Sequence, residues 1–394
     1  MSDNPTTTPA TGASSPPNAE ASVPQAAAPH DNNVIIAVDD DIDDGSSISH
    51  VSTHTVVMAY ITETDDRNLS KVLLLRPRHY RAQFWTTEKR MDERTMGTGT
   101  GLTNKEYVSP NDEQELDRLD LQHNIFIRSF DGRLGTAPPN DPGAKVGRVL
   151  DVGTGTGIWA IDFGEEHPEA DVLGIDLSPP PLSFVPPNVK FVVDDAEEPW
   201  IYSQPFDYIH SRMMTGSIAN WEKYVKTCFD NLTPGGYLEL TEADVMPLSD
   251  DGTLTEDTSI MKALRLWSEG LAMLGSPFED ISRLEGVMKD AGFEDVHVKR
   301  FKWPMNSWPK DPKYKELGMW NYENIAPNWE GFLMATLTRT MEWTKEEVLV
   351  LAMEARKDSG NKNIHAYYQM WSIHGRKPLK TEEDQPPAPT TTTD

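Results

Sequence analysis

The chain has 394 residues, a formal net charge of -27, 37% hydrophobic residues and a mean hydropathy of -0.54, which fits one large domain with tails or two modest domains, part of it disordered. An acidic body repels phosphate backbones, so no direct nucleic-acid binding is expected, and the single cysteine, Cys228, excludes an intrachain disulfide and a Cys-rich zinc site, so no metal is expected. No run approaches a membrane span and the N-terminus has no secretory pattern, so no membrane partner and a cytoplasmic or nuclear location are expected.

Residues 1–50 hold six prolines in their first thirty positions and eight acidic but no basic residues. Apart from the short run Val34–Val38 nothing there could pack, and the stretch reads as a disordered tail. Residues 51–106 form a poorly defined extension. Val72–Leu75 could be a strand, and Arg76–Trp85 mixes basic and aromatic residues, with Arg76, Arg78 and Arg81 the one candidate for a local basic groove. A loosely attached extension is the simpler reading there, a binding arm the other. Order is expected from Ser109-Pro110-Asn111-Asp112, a capping residue followed by proline at the first helical position. Apolar Leu116, Leu119, Ile125, Phe126 and Phe130 then mark an amphipathic helix that ends near Asp131-Gly132.

From Arg148 the pattern alternates. Strands are predicted at Val149–Val152, Asp171–Ile175, Val189–Val193, Phe206–Ile209, Tyr237–Leu240 and Val296–Phe301. Helices are predicted at Ile158–Glu166, Trp221–Asn231, Thr258–Leu274 and Ile281–Ala291, with Pro234-Gly235-Gly236 as a stop. Residues 312–358 look helical, Thr344 and Glu347 form a capping box, and Ala366–Ile373 is a last aromatic strand. Strands separated by helices imply an α/β fold, a parallel sheet with helices on both faces. The domain is placed at 107–378, with 379–394 a second disordered tail.

Asp151-Val152-Gly153-Thr154-Gly155-Thr156-Gly157 falls at a strand-to-helix turn. Glycines there allow a sharp bend and close approach of a ligand. The spacing is G-x-G-x-G, whereas the dinucleotide fingerprint is G-x-G-x-x-G, so a nicotinamide oxidoreductase is disfavoured. Asp151 would repel a pyrophosphate and attract an ammonium. Asp176, at the end of the second strand, can accept both hydroxyls of a ribose, and Asp194-Asp195 after the third can accept from an adenine amino group. Together these favour S-adenosyl-L-methionine as cofactor, with a solvated acidic loop the plainer reading of the Asp194–Glu198 cluster.

The segments RVLDVGTGTGIWAIDFGEEHPEADVLGIDLSP, VPPNVKFVVDDAEEPW, FDYIHSRMMTGSIANW and LTPGGYLEL, with the upstream NDEQELDRLDLQHNIF and the terminal IHGRKP, resemble the fungal LaeA-like methyltransferases over residues 107–378. The resemblance implies a Rossmann-like class I methyltransferase: a doubly wound seven-stranded sheet with its last strand antiparallel. It implies that Gly153, Thr154, Gly155 and Gly157 line the cofactor, that Asp176 with Leu177 holds the ribose, and that Asp195 with Ala196 flanks the adenine. Arg118–His123 would cap the pocket at the amino-acid end, with His123 against either the cofactor or the core. It further implies one of two roles: methylation of a small molecule or protein in secondary metabolism, or a cofactor-binding regulator that works with velvet-type protein partners.

Methyl transfer is an in-line displacement, and a general base is needed only for an un-ionised acceptor. The catalytic candidates on the crevice side are His210 as base or structural residue, Arg212 as a carboxylate clamp or ion-pair partner, and Glu242 as a partner for an acceptor amine. The aromatic segment 301–332 (Trp303, Trp308, Trp320, Tyr322, Trp329) reads as a hydrophobic buttress or a substrate lid, and Met213 and Met214 as packing.

Overall fold

The computed structural model describes residues 34–39, 113–181 and 185–379. The proposed strand Val72–Leu75, the Arg76–Trp85 segment, the cap at Ser109–Asp112 and nearly all of the 379–394 tail lie outside those residues. The first described helix is α1 (Glu113–Ser129), and it ends where Asp131 and Gly132 adopt positive φ, as the Asp-Gly pair predicts.

The sheet is built from β1 (Arg148–Val152), β2 (Asp171–Asp176), β3 (Val189–Val193), β4 (Phe206–Arg212), β5 (Leu232–Ala243), β7 (Glu294–Pro304) and β8 (Ala366–Arg376), with a two-residue β6 (Leu248–Ser249) added beside β8. The order is β3-β2-β1-β4-β5-β8-β7. β1 to β5 pair in parallel, and β8 runs antiparallel between β5 and β7. This is the Rossmann-like methyltransferase sheet with its last strand reversed. The order turns back between β1 and β4, which opens a crevice outside the carboxyl ends of those strands.

Alternation along the strands divides the core. Leu150, Val152 and Ile209 pack with Trp221 of α3 (Trp221–Asp230) and Leu284 of α5 (Leu284–Asp290). Val149, Val172 and Tyr208 face the other way, onto Trp159 and Phe163 of α2 (Ile158–Glu166). Neighbouring residues thus serve opposite faces, as a period of two requires. Pro234–Gly236 lie within β5, where the register with β4 is irregular and Gly235 has φ +85°.

A third core lies under a helical cap made of α4 (Ser259–Met273), α6 (Pro312–Ile325), α7 (Trp329–Thr340) and α8 (Lys345–Ser359). α1 joins it: Ile125, Phe126 and Phe130 pack with Trp303, Leu333 and Leu351. Three of the four cap helices start on a sequence signal. Thr258 accepts from Met261 N, Asp311 precedes Pro312 and accepts from Lys313 N and Tyr314 N, and Thr344 with Glu347 closes the predicted capping box. α7 is the exception, entered from a 3-10 turn at Ala326–Asn328.

The tail expected at 1–50 departs from expectation at residues 34–39. Val38 bridges Pro309, Asp39 N donates to Trp308 O, Lys310 N donates to Ala37 O, and Asp39 pairs with Lys315. Ile36 is buried against Trp308 and Tyr367. The reason is local: Val34–Val38 is the one apolar run of that tail, and buried Ile36, half-buried Val38 and the backbone bonds to Trp308 and Lys310 contribute against the cost of ordering it.

Candidate functional site

The bend after β1 is set by three glycines with positive φ: Gly153 at +68°, Gly155 at +56° and Gly157 at +78°. Backbone N–H groups of Gly153 and Thr154 donate to Ile175 O (2.9 and 3.0 Å), which ties the bend to β2. A Cβ on Gly153 would run into the Met214 side chain, so Met214 packs directly over the bend. A Cβ on Gly155 would meet only Leu119 Cδ1, at 3.5 Å. The space over Gly155 is therefore open, a cradle of the kind a ligand uses.

Asp176 closes β2 beside it. Its carboxylate accepts from Gly155 N (2.9 Å) and from Ser178 N (3.2 Å). Leu177 follows, 51% exposed, a large apolar side chain at the edge of the crevice. Half-buried Asp194 and Asp195 organise the next loop, with Asp195 accepting from Glu197 N (2.9 Å) and Ala196 O accepting from Trp200 Nε1 (3.0 Å). An open glycine cradle, a carboxylate at the strand end and an exposed apolar residue fit a nucleoside carrying an amino-acid tail.

The remaining predicted residues are engaged by the protein itself. Asp151 is 2% exposed, held by Thr154 Oγ1 (2.5 Å) and by His210 Nδ1 (2.8 Å). His210 is 1% exposed and its ring stacks on Trp159 at 3.7 Å. That placement makes it a support for Asp151, and it does not present a free base. His123 is fully buried. Its Nδ1 receives Arg212 (3.2 Å), and a guanidinium can only donate. The ring proton therefore sits on Nε2 and is donated to Asp162 (2.9 Å). Burial, opposed by the bond to Asp162, holds His123 below its ordinary pKa. Burial also lowers Arg212 to about 10, against the pull of Asp151 and Asp162, and the guanidinium lies over Phe126 at 4.8 Å. Glu242 is fully buried and accepts from Met214 N (3.0 Å) and Thr215 N (2.9 Å). Burial pushes its carboxyl up to about 8 although both bonds pull it down. It fixes the loop that follows β4.

Sequence reasoning missed the second buried carboxylate of β5, Glu239. It accepts from Thr136 N (2.7 Å), Ala137 N (3.0 Å), Tyr208 OH (2.7 Å) and Ser372 Oγ (2.8 Å), and so joins the segment before β1 to β4, β5 and β8. Burial pushes its carboxyl up, but nearby His374 and His210 and these donors outweigh that and leave it below the ordinary value. Its signal was present: a glutamate inside an otherwise apolar strand must find partners.

Next to the crevice lies a cavity of about 480 Å³ between the strand ends and the helical cap. Leu119, Leu177 and Met213 form its crevice side, and Trp267, Phe278, Trp303, Trp329 and Phe332 much of its apolar wall. Within the aromatic segment, Trp303 and Trp329 thus serve the cavity and buttress the cap at once, whereas Trp308 packs against Ile36. Asp244, one step beyond β5, also lines the cavity and was not singled out from the sequence. Arg118 and Gln122 line it from α1, with Arg118 bonded to both Glu115 oxygens (2.7 and 2.8 Å) and to Asn324 (2.8 Å). Among the described residues no helix is long and apolar enough to cross a membrane, and no cluster of His, Cys, Asp and Glu could hold a metal ion.

A family model described as a methyltransferase domain matches residues 121–298. The chain is 40% identical to methyltransferase pytC of Aspergillus terreus over 273 residues, covering 69% of this chain and 83% of that protein. It is 34% identical to the probable methyltransferase tdiE of Emericella nidulans, covering 68% and 84%. It is 35% identical to the secondary metabolism regulator LAE1 of Cochliobolus heterostrophus, covering 69% and 90%. With that identity over most of each relative, and with the glycine bend and the reversed last strand in place, the chain belongs to the LaeA-like family of S-adenosylmethionine-dependent methyltransferases of fungal secondary metabolism.

Proposed function

We propose that the methyl acceptor is a small molecule bound in the cavity between the strand ends and the helical cap. The observation that carries this reading is the cavity itself: about 480 Å³, walled largely by apolar and aromatic side chains, with its crevice side formed by Leu119, Leu177 and Met213. Such a volume suits a ligand of drug size. In this reading Gly153, Thr154, Gly155 and Gly157 cradle the cofactor, Asp176 takes the ribose hydroxyls, and Leu177, Asp195 and Ala196 flank the adenine. Asp151 and His123 support the amino-acid end from behind, through Thr154 and Arg212. The cofactor brings an activated methyl group, so the protein's share is to orient the acceptor and exclude water. A cytoplasmic or nuclear location completes the proposal.

The test is methyl-labelled cofactor incubated with the protein and extract, then separated into low-mass and protein fractions. Label in a low-mass product distinct from the cofactor is expected. Label in protein alone would overturn the small-molecule reading. The likeness to LAE1, a secondary metabolism regulator, supports a second reading, a cofactor-binding regulator, for which velvet-type partners would be an addition of that reading alone. That reading predicts tight cofactor binding with no labelled product in either fraction.

A further inference from the structure

We infer that Asp244 receives the acceptor's proton, and that the acceptor it serves is a planar hydroxylated aromatic. The inference rests on the reading that the cavity is the acceptor site, and it names the chemistry of that site. Two carboxylates line the cavity, Glu115 and Asp244. Glu115 gives both oxygens to Arg118. Asp244 is held differently. Trp371 Nε1 (2.9 Å) and Gln369 Nε2 (3.3 Å), both from β8, reach the same oxygen, Oδ2. The backbone is fixed as well, with Asp244 N donating to Gln369 O at 2.9 Å. The carboxylate is thus oriented through one oxygen, and neither donor uses Oδ1. The residue stands one step past the carboxyl end of β5, the edge of a doubly wound sheet at which ligands meet catalytic groups.

The surroundings select the acceptor. Trp267 stacks with Phe332 at 5.3 Å and meets Phe278 edge-on at 4.9 Å, which gives the wall aromatic faces and edges suited to another ring. A cationic amine would also be drawn to aromatic faces, but the two guanidiniums and two carboxylates of the lining leave it without net negative charge to favour a cation. A neutral ring carrying a hydroxyl satisfies both the wall and the carboxylate. In the step, the acceptor's O–H bond breaks and the proton passes to Asp244. The oxygen keeps the electron pair and bonds the transferred methyl carbon, and the displaced sulfur departs as a neutral thioether with the electrons of the old bond. Half-burial raises the Asp244 carboxyl above its ordinary range, opposed by the bonds from Trp371 and Gln369 and by Arg300 of β7, and aided by Asp280 before α5. A carboxylate of raised pKa is the better base near neutrality.

The test reads binding to the full chain loaded with S-adenosylhomocysteine, by calorimetric titration. The probes are 7-hydroxycoumarin, 7-methoxycoumarin and tetramethylammonium. Wild type should bind the hydroxy probe about tenfold more tightly than the methoxy probe, as a hydrogen bond to a charged group allows. Asp244→Asn should level the two, with S-adenosylhomocysteine affinity unchanged, and Trp267→Ala should weaken both about tenfold. Asp244→Ser serves if the amide variant melts early. A preference that survives both Asp244 variants would overturn the proton role. Tighter binding of tetramethylammonium than of either coumarin, or no coumarin binding by a chain that still binds S-adenosylhomocysteine, would overturn the aromatic class. Failure to bind S-adenosylhomocysteine would instead sink the methyltransferase site on which the inference stands.

Discussion

Gly155 holds the smallest side chain at the position where space matters most. With φ +56° and only Leu119 near its missing Cβ, Gly155→Asp should place bulk and negative charge in the cradle and lower S-adenosylmethionine affinity by two orders of magnitude or more, roughly 3 kcal/mol. Calorimetric titration checks it, and unchanged affinity would remove the bend from the binding site. Glu242 makes a different prediction. The folded chain keeps its proton up to about pH 8, whereas an ordinary carboxyl releases it near 4.5. Between those values the folded state binds more protons than the unfolded one, so this residue's contribution to stability falls as pH rises through the window. Glu242→Gln does not titrate. The melting temperature of wild type minus that of the variant should therefore decline from pH 5 to pH 8, and a flat difference would refute the assignment. The glycine turn was legible because its residues stand close together in the sequence, and Asp176 because it closes the next strand. The partners of His210 and His123 were not. Trp159 and Asp162 lie on α2 and Arg212 on β4, and only the folded sheet brings them together.

At the scale of elements, the strands and helices of the sheet were legible almost throughout, because each strand is a short apolar run and each helix carries a cap or a stop. α2 and β3 match their predicted bounds. β5 and β7 run several residues longer than predicted, since pairing with β8 carries both past the end of their apolar runs and β4 pairs with Leu232 at the start of β5. The cap helices of residues 312–358 were legible as helical but not as three units, because the break at Ala326–Asn328 carries only one proline. The box at Thr344 and Glu347 is a local device with a local cost. Thr344→Ala should destabilise the chain by about 1 kcal/mol, measured by urea unfolding, with no change in cofactor affinity. A loss of that affinity would mean that α8 supports the crevice more closely than its place in the cap implies.

At the scale of the whole molecule, two cores sandwich the sheet and a third lies beneath the cap. The first two follow from the period-two strands. The third was not visible in advance, since Phe332 is far in the sequence from Trp267 and Phe278 and joins them in one wall only when α4 and α7 pack. Leu333, fully buried in that third core, gives a test. Leu333→Ala should cost about 2–5 kcal/mol of unfolding free energy and weaken coumarin binding in the neighbouring cavity, while S-adenosylhomocysteine affinity under native conditions is kept. Equal loss of both would show that cap and sheet act as a single binding unit.

The six residues from Val34 to Asp39 have an effect out of proportion to their size. They fasten the chain at Trp308 and Lys315, and the chain is fastened again at α1, which packs on α6. Ile36 covers Trp308 and Tyr367, so lifting these six residues would uncover apolar surface beside the sheet's last strand.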